Sequence, residues 1–283
     1  MSKKFFLSFL LFFTVTIVLF FTIEYMLEDK PVAKKVDIIK KADIVKKSYK
    51  YRKYLHVEQF YKEITKDAIE IGMKYNVPPA ALLAIAGVES GYGRGYVAHI
   101  TGNILSLGAK LNEPELPALY LPNLKSDSSK VLFGAQIYKY KDDELIWKNR
   151  PNSLKKDYRP KGIAGSPEFL DYLDTNPSKK REAHYTCMED FASKWISLSR
   201  KFKPFVDARK MLDEQVKLHS KEILFDRDLN IKFIYMIGGK ENSFNYRKSW
   251  PKKVVNIMDN VGLLDLTYSL HVEGKTFKNA WAL

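Results

Sequence analysis

The chain has 283 residues, with 47 lysines and arginines against 33 acidic residues and a formal net charge of +14. This length is sufficient for one large domain or two small ones without a disulfide or a metal to stabilise the core. The single cysteine, Cys187, excludes an intramolecular disulfide framework, and the five histidines lack the spacing typical of metal ligands. We therefore predict no metal site and no cofactor. The excess positive charge favours polyanionic partners, such as nucleic acid, an anionic membrane surface or another anionic polymer.

Residues 5–23, FFLSFLLFFTVTIVLFFTI, contain no charged side chain. A helix of about twenty residues spans a hydrocarbon core of about 30 Å, so the segment predicts a transmembrane helix, and residues 1–27 a membrane anchor. A cleaved signal peptide is the alternative, but the segment is long and no small-residue cleavage site follows it. Lys3 and Lys4 favour a cytoplasmic N-terminus, whereas the lysines that follow the segment favour the opposite orientation.

Residues 28–55 carry repeated lysine pairs separated by short apolar stretches. This pattern is typical of a solvated tether or of a helix that lies on anionic headgroups. We predict a basic stalk over 28–55 and one folded domain over 56–283.

Two helices are predicted at the start of the folded domain. Apolar residues at spacings of three and four indicate an amphipathic helix, and they are Phe60, Ile64, Ala68, Ile71 and Tyr75. The sequence NVPP at 76–79 interrupts this pattern, and the apolar segment 80–89 predicts a short buried helix that opens on proline. Gly91 stands where the end of a helix favours a residue with positive φ.

The rest of the domain predicts loops and further helices. Glycines and prolines over 92–124 indicate loops with a small strand pair near 104–110. Residues 149–183 are predicted to be a polar insertion or a surface loop with short helices. Helical patterns recur at 129–147, 188–199, 209–218, 228–237 and 251–261. Trp195 and Trp250 are predicted to be core residues. The predicted fold is mainly α-helical, with a small β and loop lobe.

Glu89 closes the apolar helix and is followed by glycines at 91, 93 and 95. The negative end of the helix dipole and the apolar neighbours both disfavour a carboxylate, so we expect this side chain to hold a proton. A protonated carboxyl beside an open turn is what a general acid for glycosidic bond cleavage requires. The alternative is a solvated residue in the last helical turn, with Gly91 acting only as a helix cap.

Residues 84–109 read AIAGVESGYGRGYVAHITGNILSLGA. This segment resembles the core motif of bacterial cell-wall N-acetylglucosaminidases (glycoside hydrolase family 73), in which an E-S-x-x-G block precedes an N-N-L-F-G block. Residues 89–93 match the first block closely, and 101–108 match the second loosely, with departures at Ile104 and Ser106. The resemblance implies a lysozyme-like helical fold and assigns the role of general acid to Glu89.

The resemblance continues more weakly at residues 244–254, FNYRKSWPKKV. The family has a tyrosine here that lines the site; Phe244 takes its position, and Tyr246 is the candidate for the missing hydroxyl. The candidates for the saccharide subsite are then Ser90, Tyr92, Asn103, Phe244 and Tyr246.

Glycoside hydrolases commonly use a second carboxylate beside the general acid. The loops that face the helical part of the domain contain the candidates for it. The candidates are Glu113, Glu115 and Asp127; the loop setting of each favours the alternative, a solvated charge. Whether the reaction inverts or retains configuration depends on the separation of the two carboxyl groups, which no sequence pattern supplies.

The leading hypothesis is a membrane-anchored peptidoglycan hydrolase that cleaves glycan strands at N-acetylglucosamine, on the periplasmic or wall side of the cytoplasmic membrane. A lytic transglycosylase also uses one Glu after an apolar helix, but the E-S-x-x-x-P and G-L-M-Q blocks typical of those enzymes are absent. A catalytically inactive wall-binding module of the same fold is the other alternative, because the N-N-L-F-G block is degraded. Nucleic-acid binding is not predicted, since no recognised motif accompanies the charge.

Overall fold

The computed structural model describes residues 49–197 and 202–282 of the chain. Within them the α-helices are α1 (Leu55–Tyr75), α2 (Pro79–Ser90), α3 (Tyr96–Thr101), α4 (Tyr172–Thr175), α5 (Pro177–Asp190), α6 (Lys203–His219), α7 (Arg227–Ile237), α8 (Trp250–Val261), α9 (Leu263–His271) and α10 (Phe277–Trp281). Strands β1 (Leu119–Leu124) and β2 (Leu145–Arg150) pair antiparallel. Short 3-10 helices lie at Gly134–Lys139, Asp142–Glu144 and Lys221–Phe225, and a π-helix at Phe191–Ile196. The prediction of a mainly helical fold with a small β and loop lobe is confirmed.

The predicted transmembrane segment at 5–23 and most of the predicted stalk lie outside the described residues. Across the described ranges 49–197 and 202–282, no helix is both long enough and apolar enough to span a bilayer.

The end of the predicted stalk packs on the helical unit. The Arg52 guanidinium donates hydrogen bonds to the main-chain carbonyls of Val261, Gly262, Ala280 and Trp281. These carbonyls lie at the C-terminal ends of α8 and α10, where a cation is favoured by the helix dipole. The packed unit therefore extends N-terminally of residue 56, where its start was predicted.

Helix α2 is the centre of the main core. All its residues from Ala80 to Ala86 are fully buried, and it contacts α1, α7, α8 and α9. The first backbone N–H groups of a helix have no partner within the helix. Pro79 has no N–H group, and the Ala81 N–H donates to the side chain of the buried Asn230 at 3.0 Å. Local apolar composition and this long-range cap thus hold α2, and with it Glu89, in a rigid position.

Tyr61 of α1 places a hydroxyl against α2 without a hydrogen-bond partner among the described residues. The side chain is 0% exposed, and a Cβ added at Gly87 would lie 2.4 Å from the hydroxyl oxygen. Gly87 is therefore the residue that admits this ring beside α2.

Replacing Tyr61 with Phe is expected to stabilise the protein by about 1 kcal/mol, because a buried unpaired hydroxyl is removed and the ring is kept. Denaturant unfolding of the full chain measures this change. Tyr138→Phe, at a side chain that is 90% exposed, is the matched control and is expected to change nothing. A loss of stability in Tyr61→Phe would show that the hydroxyl does find a partner.

The smaller part of the unit, residues 96–160, is called the small lobe below. Its own apolar cluster consists of Ile100, Leu116, Leu119, Leu121 and Phe133. Strands β1 and β2 pair from Leu119 with Arg150 to Leu124 with Leu145, and segment 153–157 hydrogen-bonds both 107–109 and 114–116. The small lobe is therefore held together by backbone pairing around a modest core.

Two predictions for the small lobe are wrong. The helix predicted over 129–147 is replaced by 3-10 turns and by β2, because pairing with β1 overrides the local helical spacing. The strand pair predicted near 104–110 is reduced to a single bridge between Gly108 and Lys155.

The short helices predicted within the loop at 149–183 are present as α4 and the first turns of α5. Helix α5 opens on Pro177 and runs without a break into the π-helix at Phe191–Ile196, so it begins well before the predicted start at 188. The charged residues 179–182 make the composition of this segment similar to that of a loop. One of them, Arg181, forms an ion pair with the buried Asp67 of α1 at 2.6 Å.

Candidate active site

Glu89 is half-buried in the last turn of α2. Gly91 ends the helix with a left-handed backbone, φ 57°, and its N–H binds the Gly87 carbonyl, as the sequence predicted. Gly91, Tyr92 and Gly93 all have positive φ, so the chain leaves the helix in a sharp turn. A Cβ added at Gly91 would meet no heavy atom within 4 Å. Glu89 therefore stands at the end of a buried helix, next to an open turn.

Two nitrogen donors meet one oxygen of Glu89. The indole Nε1–H of Trp250 donates to Oε1 at 2.6 Å, and the Asn245 amide Nδ2 reaches the same oxygen at 3.4 Å. No described residue hydrogen-bonds Oε2. A neutral carboxyl keeps its carbonyl oxygen as an acceptor while its hydroxyl carries the proton. The arrangement is thus compatible with a proton on Oε2 and with the carboxylate left after that proton departs.

Both donors come from one stretch of chain: Asn245 lies in the loop between α7 and α8, and Trp250 is the first residue of α8. Main-chain bonds from Gly239 to Asn245 and from Phe244 to Ile237 fold this loop back on α7. A Cβ added at Gly238 would lie 2.1 Å from the Trp250 ring, so glycine is needed there for the ring to reach Glu89. The prediction that Trp250 is a core residue is confirmed, at 3% exposed, but its indole N–H also has a role at the site.

The small lobe brings an ammonium group toward Glu89. Lys155 is partly buried and donates to the Ser106 carbonyl at 2.6 Å. Burial lowers the pKa of Lys155, and the charge of Glu89 acts in the opposite direction, so the two groups lie within electrostatic range. A nearby cation stabilises negative charge. Lys155, Trp250 and Asn245 therefore all stabilise negative charge at Glu89.

Ser90 and Asn103 are engaged with the protein's own backbone. The buried Ser90 hydroxyl donates to the Ala86 carbonyl at 2.6 Å and accepts from the Gly93 N–H at 2.8 Å. Asn103, 1% exposed, binds the main chain of Leu107 and Lys156. In this structure Ser90 shapes the turn after Glu89, and Asn103 links segment 103–107 to Lys156.

Tyr92 lies partly within the core, where its ring meets His56, Phe60 and Tyr61 edge-on at centroid distances of 5.8 to 6.3 Å. Burial raises its pKa to about 12, so its hydroxyl is neutral at physiological pH.

Phe244 and Tyr246 lie in different surroundings. The Phe244 ring packs against Phe191 and against the Trp250 ring, with its centroid 5.6 Å from that of Trp250, and so it supports the donor to Glu89. Tyr246 is 71% exposed, with the Arg247 guanidinium 5.9 Å from its ring centroid.

The three candidates for a second carboxylate make their contacts away from Glu89. Glu113 pairs with Lys156 at 2.8 Å, and this lysine also binds Asp190. Glu115 accepts from Asn152 at 3.4 Å. Asp127 binds Ser129 in an exposed turn, and these hydrogen bonds lower its pKa. None of the three hydrogen-bonds Glu89 or its described partners.

Sequence reasoning missed Asn245 and Lys155 and assigned Trp250 to the core alone. For Trp250 a signal did exist, because a buried indole N–H requires an acceptor and the apolar core offers few. For the other two the sequence holds no local signal. No group of three His, Cys, Asp or Glu side chains converges on a metal position within residues 49–197 and 202–282.

No protein-family profile matches this chain, and no curated protein matches it significantly. Among solved structures, the catalytic domain of the autolysin Auto from Listeria monocytogenes is similar, with a TM-score of 0.43 and 14% sequence identity. The match covers 75% of this chain and 87% of that one. A similarity at this level establishes neither a common fold nor a common activity.

Proposed function

We propose that this protein is a peptidoglycan hydrolase that cleaves the glycan backbone at N-acetylglucosamine, with Glu89 as the general acid. The observation that carries the proposal is the setting of this carboxyl: it ends a rigid buried helix, one oxygen binds two N–H donors, and the other oxygen is unbonded among the described residues. The resemblance of residues 84–109 to the N-acetylglucosaminidase motif supports the choice of substrate.

In the proposed reaction, Oε2 of Glu89 gives its proton to the glycosidic oxygen as the bond to the sugar breaks. The carboxylate that forms is stabilised at Oε1 by the N–H groups of Trp250 and Asn245 and by the field of Lys155. These donors are in place before the reaction starts, so no reorganisation is needed when charge develops. The rigid α2 holds the acid in position for this transfer.

A lytic transglycosylase is the second candidate, and one observation favours it. The predicted second carboxylates Glu113, Glu115 and Asp127 bind other groups, and the ammonium of Lys155 lies within electrostatic range of Glu89. A reaction that needs one carboxyl only is then simpler to accommodate. The two enzymes differ in whether water or a hydroxyl of the substrate itself attacks the sugar.

We place the reaction outside the cytoplasmic membrane, on the periplasmic or wall side, with the chain tethered through residues 5–23. The support for this location is the apolar segment itself, together with a substrate that occurs only outside that membrane.

The test is a digest of purified sacculi with the full chain, followed by mass analysis of the released fragments. A hydrolase is expected to leave new reducing N-acetylglucosamine ends, whereas a lytic transglycosylase leaves anhydro-muramyl ends. Release of neither product, with binding to sacculi retained, would instead indicate an inactive wall-binding module.

A further inference from the structure

Two adjoining hollows of about 300 and 240 Å³ form a groove beside the turn that follows Glu89. They share the side chains of Glu63, Asp174, Lys180 and His184. One wall comes from α1 and α5 of the main core, and the other from His99 of α3 and Gln136 of the small lobe. The groove therefore lies between the two parts of the unit that also contribute Glu89 and Lys155.

The groove begins close to the proposed general acid. Tyr92, Gly93 and Arg94, the third to fifth residues after Glu89, are part of its wall. A polymer bound across Glu89 would therefore have any side branch on this flank within reach of the groove.

His184 is an unused hydrogen-bonding group in the groove. The side chain is 4% exposed, lines both hollows, and has no hydrogen-bond or ion-pair partner among the described residues. Burial and the charge of Lys180 lower its pKa to about 3, so the imidazole is neutral and offers one donor and one acceptor. A ligand bound in the groove would supply the partner that the described residues do not.

Two cations of the groove have a weak ionic partner or none among the described residues. His99 and Asp174 pair at 2.6 Å, whereas Lys180 and Glu63 are 3.6 Å apart. Arg94 is exposed and forms no ion pair with a described residue. Arg94 can therefore bind a carboxylate directly, and Lys180 can do so by exchanging its long contact with Glu63.

The chemistry of the groove fits a peptide better than a sugar. In a stem-bearing strand the sugars offer hydroxyl, acetamido and amide-linked lactyl groups but no charge, so the sugars themselves give Arg94 and Lys180 no anionic partner. A short peptide ending in a carboxylate has an anion for these cations and amides that pair with a neutral imidazole.

We propose that this groove binds the peptide stem of the wall polymer, with the stem carboxylate at Arg94 and Lys180 and a stem amide at His184. The inference rests on the proposed function, because it places the glycan strand over Glu89 and the stem to one side. It adds that the enzyme distinguishes strands that carry stems from bare strands.

Calorimetric titration of the full chain with a synthetic stem tetrapeptide, as the free acid and as the C-terminal amide, tests the proposal directly. The acid is expected to bind about tenfold more tightly than the amide, the size of one hydrogen bond to a charged group. Arg94→Gln should reduce this difference, because only Lys180 then remains for the carboxylate, and His184→Gln should weaken both ligands. Because Arg94 is exposed, its variant is expected to fold even if the variant at the buried His184 does not.

Lys232→Gln on α7, at another exposed cation without a partner among the described residues, is the matched control and should bind like the wild type. Equal binding of acid and amide, absence of binding, or an Arg94→Gln variant that discriminates as strongly as the wild type would each overturn the proposal.

Digestion of sacculi with and without their stems separates this inference from the proposed function. If the chain cuts bare strands as fast as stem-bearing strands and binds no peptide, the inference fails and the hydrolase proposal stands. If it binds the tetrapeptide as expected and cuts neither substrate, the groove is assigned correctly and the hydrolase proposal fails.

Discussion

Replacing Glu89 with Gln is expected to reduce cleavage of sacculi by about a factor of 10³, within the range that a general acid contributes. The amide carbonyl still accepts hydrogen bonds from Trp250 and Asn245, so the helix end and its partners keep their places. The amide has no proton to give to a glycosidic oxygen. The measurement is the rate at which new chain ends appear in a sacculus digest, alongside a zymogram.

Two controls make this result specific to catalysis. Glu214→Gln, at an exposed glutamate on α6, should keep full activity, and Glu89→Gln should bind sacculi as the wild type does. Activity above about a tenth of wild type in Glu89→Gln would remove this residue as the general acid. A wild-type chain as inert as its variant would leave a binding module as the remaining alternative.

Replacing Trp250 with Phe is expected to lower kcat by about ten- to a hundredfold and to leave KM nearly unchanged. Phe keeps most of the ring that packs against Phe244 but lacks the N–H that binds Oε1 of Glu89. A hydrogen bond to a charged group contributes about 1.5–3 kcal/mol. The Trp250 side chain is buried and so is not expected to touch the substrate. Removing its N–H should therefore slow proton transfer from Glu89 without changing substrate binding.

Trp195→Phe is the matched control for this variant, since Trp195 also packs on the Phe244 ring edge-on at 6.3 Å and has no contact with Glu89. Its activity should equal that of the wild type. Steady-state kinetics on soluble glycan fragments measure both variants, with thermal unfolding to compare their stability. An unchanged kcat in Trp250→Phe would show that this hydrogen bond does not contribute to the reaction.

The elements that the sequence predicted well are those specified by neighbouring residues. Helix α2 and its end at Gly91 follow from an apolar segment and from the left-handed backbone that glycine accepts. The helices predicted over 228–237 and 251–261 agree with α7 and α8 within about one residue at each end. In each case the signal lies within a few residues of the element itself.

The wrong prediction over 129–147 has a physical cause of another kind. Leu132, Gln136, Tyr140 and Leu145 have near-helical spacing, but Leu145 pairs with Leu124 and begins β2. Strand pairing is decided by a partner elsewhere in the chain, and β-propensity depends strongly on that context. Local periodicity contains no information about such a partner.

The sequence alone determined where the proposed acid lies: a carboxyl at the end of an apolar helix, followed by glycines that open the turn. Tertiary structure decided what surrounds it, since Asn245 and Trp250 are 156 and 161 residues away along the chain and Lys155 comes from the small lobe. A helix end is encoded by neighbouring residues, whereas hydrogen bonds and charges act through space between segments that only folding brings together.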